Sequence, residues 1–134
     1  MILLGPGAWV ALVDRSDPQH GPCVRVLKDL AEPLATIWPI VSEVMNRLQN
    51  IPKGQDVVWE MIERGAVALL ALDDSDVPAI RGLMSRHAER AMPFADAALV
   101  HVADRDSIRT VFTIRGKAFG AYRLAGNRRL KVIP

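Results

Sequence analysis

Short apolar stretches alternate with longer helix-forming ones along this 134-residue chain, and that alternation leaves few architectures open. The segments ILL at 2–4, LAT at 34–36, AVALLAL at 66–72, TVFTI at 110–114 and LKVI at 130–133 are all of strand length. Each is separated from the next by residues with helical spacing or caps. Strands joined through helices pair in parallel, because a parallel pair needs a long crossover. The unbroken apolar run at 66–72 reads as a central strand buried on both faces. The expectation is an α/β protein: a three-layer α/β/α sandwich around a short, mainly parallel sheet. No linker, internal repeat or low-complexity tract divides it, so residues 1–134 read as a single domain.

The intervening segments carry start and stop signals. Asp17-Pro18 reads as an N-cap followed by proline at the first helical position, opening a helix to about Ala31 that Glu32-Pro33 stops. Pro39 starts the next, with Ile40, Val41, Val44, Met45 and Leu48 on one face. IPKGQ at 51–55 reads as a break before a helix from Gln55 to Arg64, closed by Gly65. DDSD at 73–76 caps a helix ending in Arg86, His87 and Arg90, the polarity its dipole favours. A further helix covers 95–105. Gly126-Asn127 reads as the turn of a hairpin that would bring Arg123, Arg128 and Arg129 together.

Half the residues are hydrophobic and 24% are charged, as in soluble globular proteins. No apolar run approaches the roughly 18 residues that cross a bilayer. The apolar start lacks a basic segment and is broken by Gly5-Pro6-Gly7, which argues against a signal peptide. Cys23 is the one cysteine. It excludes an internal disulfide and a cysteine zinc cluster and fits a cytoplasmic protein. His20, His87 and His101 are widely spaced and show no metal pattern.

The net charge of +2 hides an asymmetry. Residues 1–104 hold 9 Lys/Arg against 14 Asp/Glu, whereas residues 105–134 hold 8 against Asp106 alone. A basic tail of this kind suits a polyanion such as RNA, with Arg115, Lys117, Arg123, Arg128 and Arg129 as the nucleic-acid-binding candidates. It also suits a solvated rim, or charges that protect a sheet edge from pairing.

In open parallel sheets ligands bind beyond the carboxyl ends of the strands, which here fall near Gly5, Ile37, Leu72 and Arg115. Glu43 precedes Arg47 by four residues, as in an exposed helical ion pair. Asp96 lies in the first turn of its helix, where any acid is favoured.

Four segments carry a resemblance: MILLGPGAWVALVDRSDPQH at 1–20, LATIWPIVSEVM at 34–45, MPFADAALVHVADR at 92–105 and IRTVFTIRGKAFGAYRL at 108–124. With their spacing, the chain resembles the PIN-domain family, in particular the small bacterial VapC-like ribonuclease toxins. The resemblance implies a magnesium- or manganese-dependent ribonuclease with about four carboxylates at the strand ends. Hard oxygen ligands suit such ions, which hold attacking and leaving oxygens in hydrolysis. By the same resemblance, Glu43 and Asp96 match the second and third carboxylates, as catalytic and metal-binding positions. The first strand of the family ends in Asp-Thr, where this chain has Gly5-Pro6. A supporting acid is replaced by Pro93, and the fourth carboxylate by Arg115.

The formal charge of the cluster thus falls from about −4 to about −1, and Glu43 and Asp96 read as vestigial, with metal binding weak or lost. Arg115 then reads as a guanidinium standing where metal stands in relatives, paired with Asp96 or Glu43, or turned outward to a phosphate. The favoured function is a degenerate PIN domain that binds RNA or a regulatory partner, with weak or absent nuclease activity and no tightly bound cofactor. The alternatives are an active magnesium- or manganese-dependent endoribonuclease toxin and a purely structural assembly subunit. An antitoxin-like partner and a homodimer are implied, and no membrane.

Overall fold

In the computed structural model, which describes residues 1–134, all five apolar stretches enter one sheet. The strands are β1 (Ile2–Leu4), β2 (Leu34–Thr36), β3 (Val67–Leu69), β4 (Thr110–Phe112) and β5 (Lys131–Ile133). Their order is β3-β2-β1-β4-β5, and every pairing is parallel. Ile2 faces Leu34 on one side and Thr110 on the other, and Thr110 faces Lys131. The chain moves outward from β1 through β2 to β3, then returns to the other side of β1 for β4. That reversal makes the carboxyl ends of β1 and β4 the topological switch point, the crevice position where open parallel sheets take ligands.

Seven helices flank the sheet: α1 (Pro6–Val13), α2 (His20–Asp29), α3 (Trp38–Arg47), α4 (Pro52–Glu63), α5 (Val77–Arg86), α6 (Phe94–Arg105) and α7 (Gly116–Ala121). The core is built from Leu3, Leu4, Trp9, Ile37, Ile40, Leu99, Phe112 and Phe119, all fully buried. In α6 the residues from Ala95 to Val100 are all buried, together with Val102 and Ala103. A helix with almost no exposed stripe lies inside the molecule. Its four alanines let neighbours approach closely, and one of its buried residues is Asp96.

Several local expectations need correction. The run at 66–72 yields only a three-residue strand, and β3 is an edge strand rather than a central one. Ala68, Leu69 and Leu70 are half-buried, packed against the core from one side. Apolar continuity reports burial and does not say how many neighbours a strand has. Asp17 does not cap α2 directly: its carboxylate accepts the Gln19 N–H at 2.8 Å and its carbonyl the His20 N–H at 2.9 Å. Pro18 sits in that turn, and the helix starts at His20. Pro52 opens α4 instead of preceding a break, because a first-turn position needs no N–H.

The hairpin expected around Gly126-Asn127 does not form. β5 is parallel to β4, and the connection contains α7 and a single 3₁₀ turn at Ala125–Asn127. Gly65, as expected, ends α4 with a positive φ of 78°. No helix is long and apolar enough to cross a membrane.

Candidate functional site

Three elements converge at the crevice. β1 ends at Gly5, whose N–H donates to the Phe112 carbonyl at 2.8 Å and ties the ends of β1 and β4 together. Thr36 Oγ1 donates to the Leu4 carbonyl at 3.0 Å and fixes β2 alongside. A Cβ added at Gly5 would lie 3.3 Å from both the Phe112 oxygen and Thr113 Cβ, so a side chain there needs its neighbours to yield slightly. Gly7, two residues on, allows a closer approach: a Cβ would meet Ile114 at 2.6 Å and Arg47 Nη1 at 3.5 Å.

Asp96 is the charged centre of this region and is 1% exposed. Its Oδ2 accepts from Arg115 Nη1 at 2.8 Å and from the Tyr122 hydroxyl at 2.9 Å. Arg115 is the N-cap residue of α7 and Tyr122 its C-cap, so both ends of this six-residue helix are pinned on one carboxylate. Arg115 is further fixed by its own N–H, which donates to Thr113 Oγ1 at 2.9 Å. Tyr122 is buried with its ring edge-on to Phe119 and His87, each 5.3 Å away between centroids. A helix of this length does not persist on propensity alone. These two polar anchors and the buried Phe119 hold it.

Both donors land on Oδ2. Oδ1 accepts no hydrogen bond from the chain. Burial pushes the Asp96 carboxyl above its usual range, against the pull of the Tyr122 hydrogen bond and the Arg115 charge, with Arg47 a more distant contributor. Burial and the neighbouring carboxylate push Tyr122 up to about 12, so its hydroxyl stays protonated as a donor.

Glu43 projects from α3 and pairs with Arg47 at 3.4 Å, an i,i+4 contact with side chains 35% and 41% exposed. Gly5 ends β1, Glu43 lies on α3 after β2, Arg115 follows β4, and Asp96 lies on α6, the second helix after β3. The other basic candidates disperse. Lys117 is exposed on α7. Arg123 curls back onto the Gly120 and Ala121 carbonyls at 3.3 and 3.0 Å. Arg128 bonds Asp104 at 3.2 Å, and with Arg129 it lies beyond the amino end of β5. Arg128 and Arg129 therefore lie at the other end of the sheet from Arg115.

The donor set does not fit a divalent metal. No group of three or more His, Cys, Asp or Glu side chains is close enough together to hold an ion. Magnesium and manganese favour carboxylate oxygens. Here Gly5 offers none, Asp96 and Glu43 are each paired with a guanidinium, and Arg115 repels a cation.

Sequence reasoning missed Tyr122, and it treated Arg47 only as a partner of Glu43. Tyr122 is the chain's one tyrosine. A buried tyrosine hydroxyl requires a partner, but which one is a matter of tertiary packing. A second cluster was also missed. Asp76 accepts from His101 Nε2 at 2.7 Å, from Arg105 Nη1 at 3.2 Å and from the Asp73 N–H at 2.9 Å. It ties α6 to the turn before α5.

No protein-family model matches the chain. It is 26% identical to Ribonuclease VapC26 of Mycobacterium tuberculosis, over 99% of this chain and all of that one. The crystal structure of Mycobacterium tuberculosis VapC20, described as a Sarcin-Ricin loop cleaving toxin, matches with a TM-score of 0.79 at 19% identity. That match covers 87% of this chain and 91% of the other, and it is a likeness of fold.

Proposed function

We propose that this chain, a VapC-like PIN-domain protein, binds RNA through a crevice in which a salt bridge takes the place of metal, and does not hydrolyse it. The observation that supports this reading is the 2.8 Å contact between Arg115 Nη1 and Asp96 Oδ2. The guanidinium supplies the positive charge that a buried carboxylate needs. It also carries five N–H donors, of which Asp96 uses one, and it is 38% exposed. The remaining donors make no hydrogen bond within the chain and suit a backbone phosphate.

Hydrolysis needs a base or a metal to activate water. Asp96 is committed to Arg115 and Tyr122, and Glu43 to Arg47. An antitoxin-like partner belongs to the same proposal, since VapC-like chains are expected to pair with one.

A second reading has its own support. The full-length likeness to a protein named as a ribonuclease favours an active magnesium- or manganese-dependent endoribonuclease. In that case Arg115 would have to leave Asp96 before an ion could enter.

Incubating the protein with mixed RNA and Mn²⁺ separates the two. The proposal expects intact RNA and binding that weakens as salt rises. Cleavage that Asp96→Asn or Glu43→Ala abolishes would establish the second reading instead.

A further inference from the structure

At the end of the sheet opposite the crevice lies a second concavity of about 960 Å³, beyond the amino ends of β1, β4 and β5. Its charged rim is formed by Arg109, Arg128, Arg129 and Lys131 on the basic side and Glu32 and Asp106 on the acidic side. The acids are already engaged. Glu32 is 2.6 Å from the terminal ammonium of Met1, and Asp106 makes two hydrogen bonds with Arg105, at 2.9 and 3.0 Å. Arg128 is partnered by Asp104. Arg109, Arg129 and Lys131 are exposed and make no ion pair or side-chain hydrogen bond.

Their backbone is anchored. The Lys131 N–H donates to the Arg109 carbonyl at 2.8 Å, and Leu130 between Arg129 and Lys131 is 5% exposed and packs in the core. Three cations without a side-chain partner thus start from fixed backbone positions at the amino ends of β4 and β5.

We propose that this cleft is a polyanion site that holds consecutive backbone phosphates of RNA, independently of the Asp96 crevice. The unpaired cations Arg109, Arg129 and Lys131 favour a ligand of closely spaced negative charge, such as a nucleic acid backbone. Of the apolar lining, Ala103, Ile108, Leu124 and Leu130 are buried, Leu70 is half-buried and Met1 is exposed at the rim. No aromatic side chain lines it, so bases are not stacked there. Contacts of this kind position a strand without reading its sequence. The site gives the basic tail a role that convergence on Arg115 does not, because the tail's cations divide between two ends of the sheet.

The inference shares with the proposed function only the identity of the ligand. The test measures binding of a fluorescein-labelled single-stranded RNA by anisotropy across a salt series. The proteins are wild type, an Arg109→Ala/Arg129→Ala/Lys131→Ala variant, an Arg109→Lys/Arg129→Lys variant and Arg115→Met.

The triple alanine variant is expected to bind at least about tenfold more weakly, with its salt slope reduced by about two, from three lost contacts at about 0.7 each. The lysine variant is expected to keep the slope, and Arg115→Met to change it by no more than about one. Wild-type binding that the triple variant retains would overturn the cleft and leave the proposed function standing. No RNA binding by wild type would overturn both. Displacement of RNA by polyglutamate at equal charge concentration would assign the cleft to an acidic protein and overturn the RNA assignment.

Discussion

Asp76 and Asp96 are both buried and both bonded to an arginine, yet their acidities are displaced in opposite directions. Hydrogen bonds from His101 and the Asp73 backbone, with Arg105 beside them, hold Asp76 down to about 2. Asp96 has two donors, both on one oxygen, and burial outweighs them. The difference lies in how many donors each environment supplies for the water it removes. At Asp76 the carboxylate is oversupplied, and the cluster pins α6 to the turn that opens α5. At Asp96 compensation is incomplete, and one oxygen is left without a donor. Arg115 and Tyr122 are the groups that make the burial of Asp96 tolerable.

The largest effect that sharpens this contrast is expected from Arg115→Met. Asp96 then loses its cationic partner while staying buried, and stability at pH 7 should fall by about 2 kcal/mol, discounted for the partial exposure of Arg115. The pH dependence has a definite sign. A carboxyl whose folded pKa is raised contributes stability that is fully present below its unfolded value and lost as pH rises through the folded one. Removing Arg115 raises it further, so the loss should shrink towards about pH 4. Urea unfolding at the two pH values measures it. An equal loss at both would show that Arg115 acts through packing instead.

A smaller effect, which disappears in acid, is expected at Asp76. Its depressed value means the carboxylate stabilises the fold above its ordinary 3.8 and loses that contribution as pH falls through about 2. Thermal melts of Asp76→Asn between these limits should be flatter than those of the wild type. Parallel curves would remove Asp76 from its pinning role. The smallest effect is expected from Glu43→Gln, since a half-exposed i,i+4 pair at 3.4 Å contributes about 0.5 kcal/mol or less. A loss several times larger in chemical denaturation would mean that Glu43 belongs to the Asp96 cluster.

Much of this architecture could be read in advance, and the reasons are local. The strands at 2–4, 34–36, 110–112 and 131–133 announced themselves as short, largely apolar stretches between helix-forming segments. Gly65, Pro93 and the acids at 73–76 punctuate helices through backbone chemistry that operates within a few residues. α7 was illegible because Gly116 and Gly120 lower its propensity, and its stability comes from Phe119, Arg115 and Tyr122 contacts made elsewhere. The strand order of β3 was illegible because an apolar run looks the same at an edge that a helix covers.

At the site, Gly5, Glu43, Asp96 and Arg115 could be placed from segments that resemble a family. The Asp96–Tyr122 bond spans 26 residues, and the Asp76–His101 bond 25. Neither pairing follows any period of a helix or strand.

Calorimetric titration of the wild-type protein with Mn²⁺, beside a Gly5→Asp/Arg115→Asp variant, tests the exchange of metal for a guanidinium most directly. Each unit of charge about 4 Å from an ion at an effective dielectric constant near 20 is worth about 4 kcal/mol, close to a thousandfold in affinity. The expected result is no saturable heat from the wild type and clear one- or two-site binding by the variant. Stoichiometric Mn²⁺ binding by the wild type that Asp96→Asn removes would contradict it.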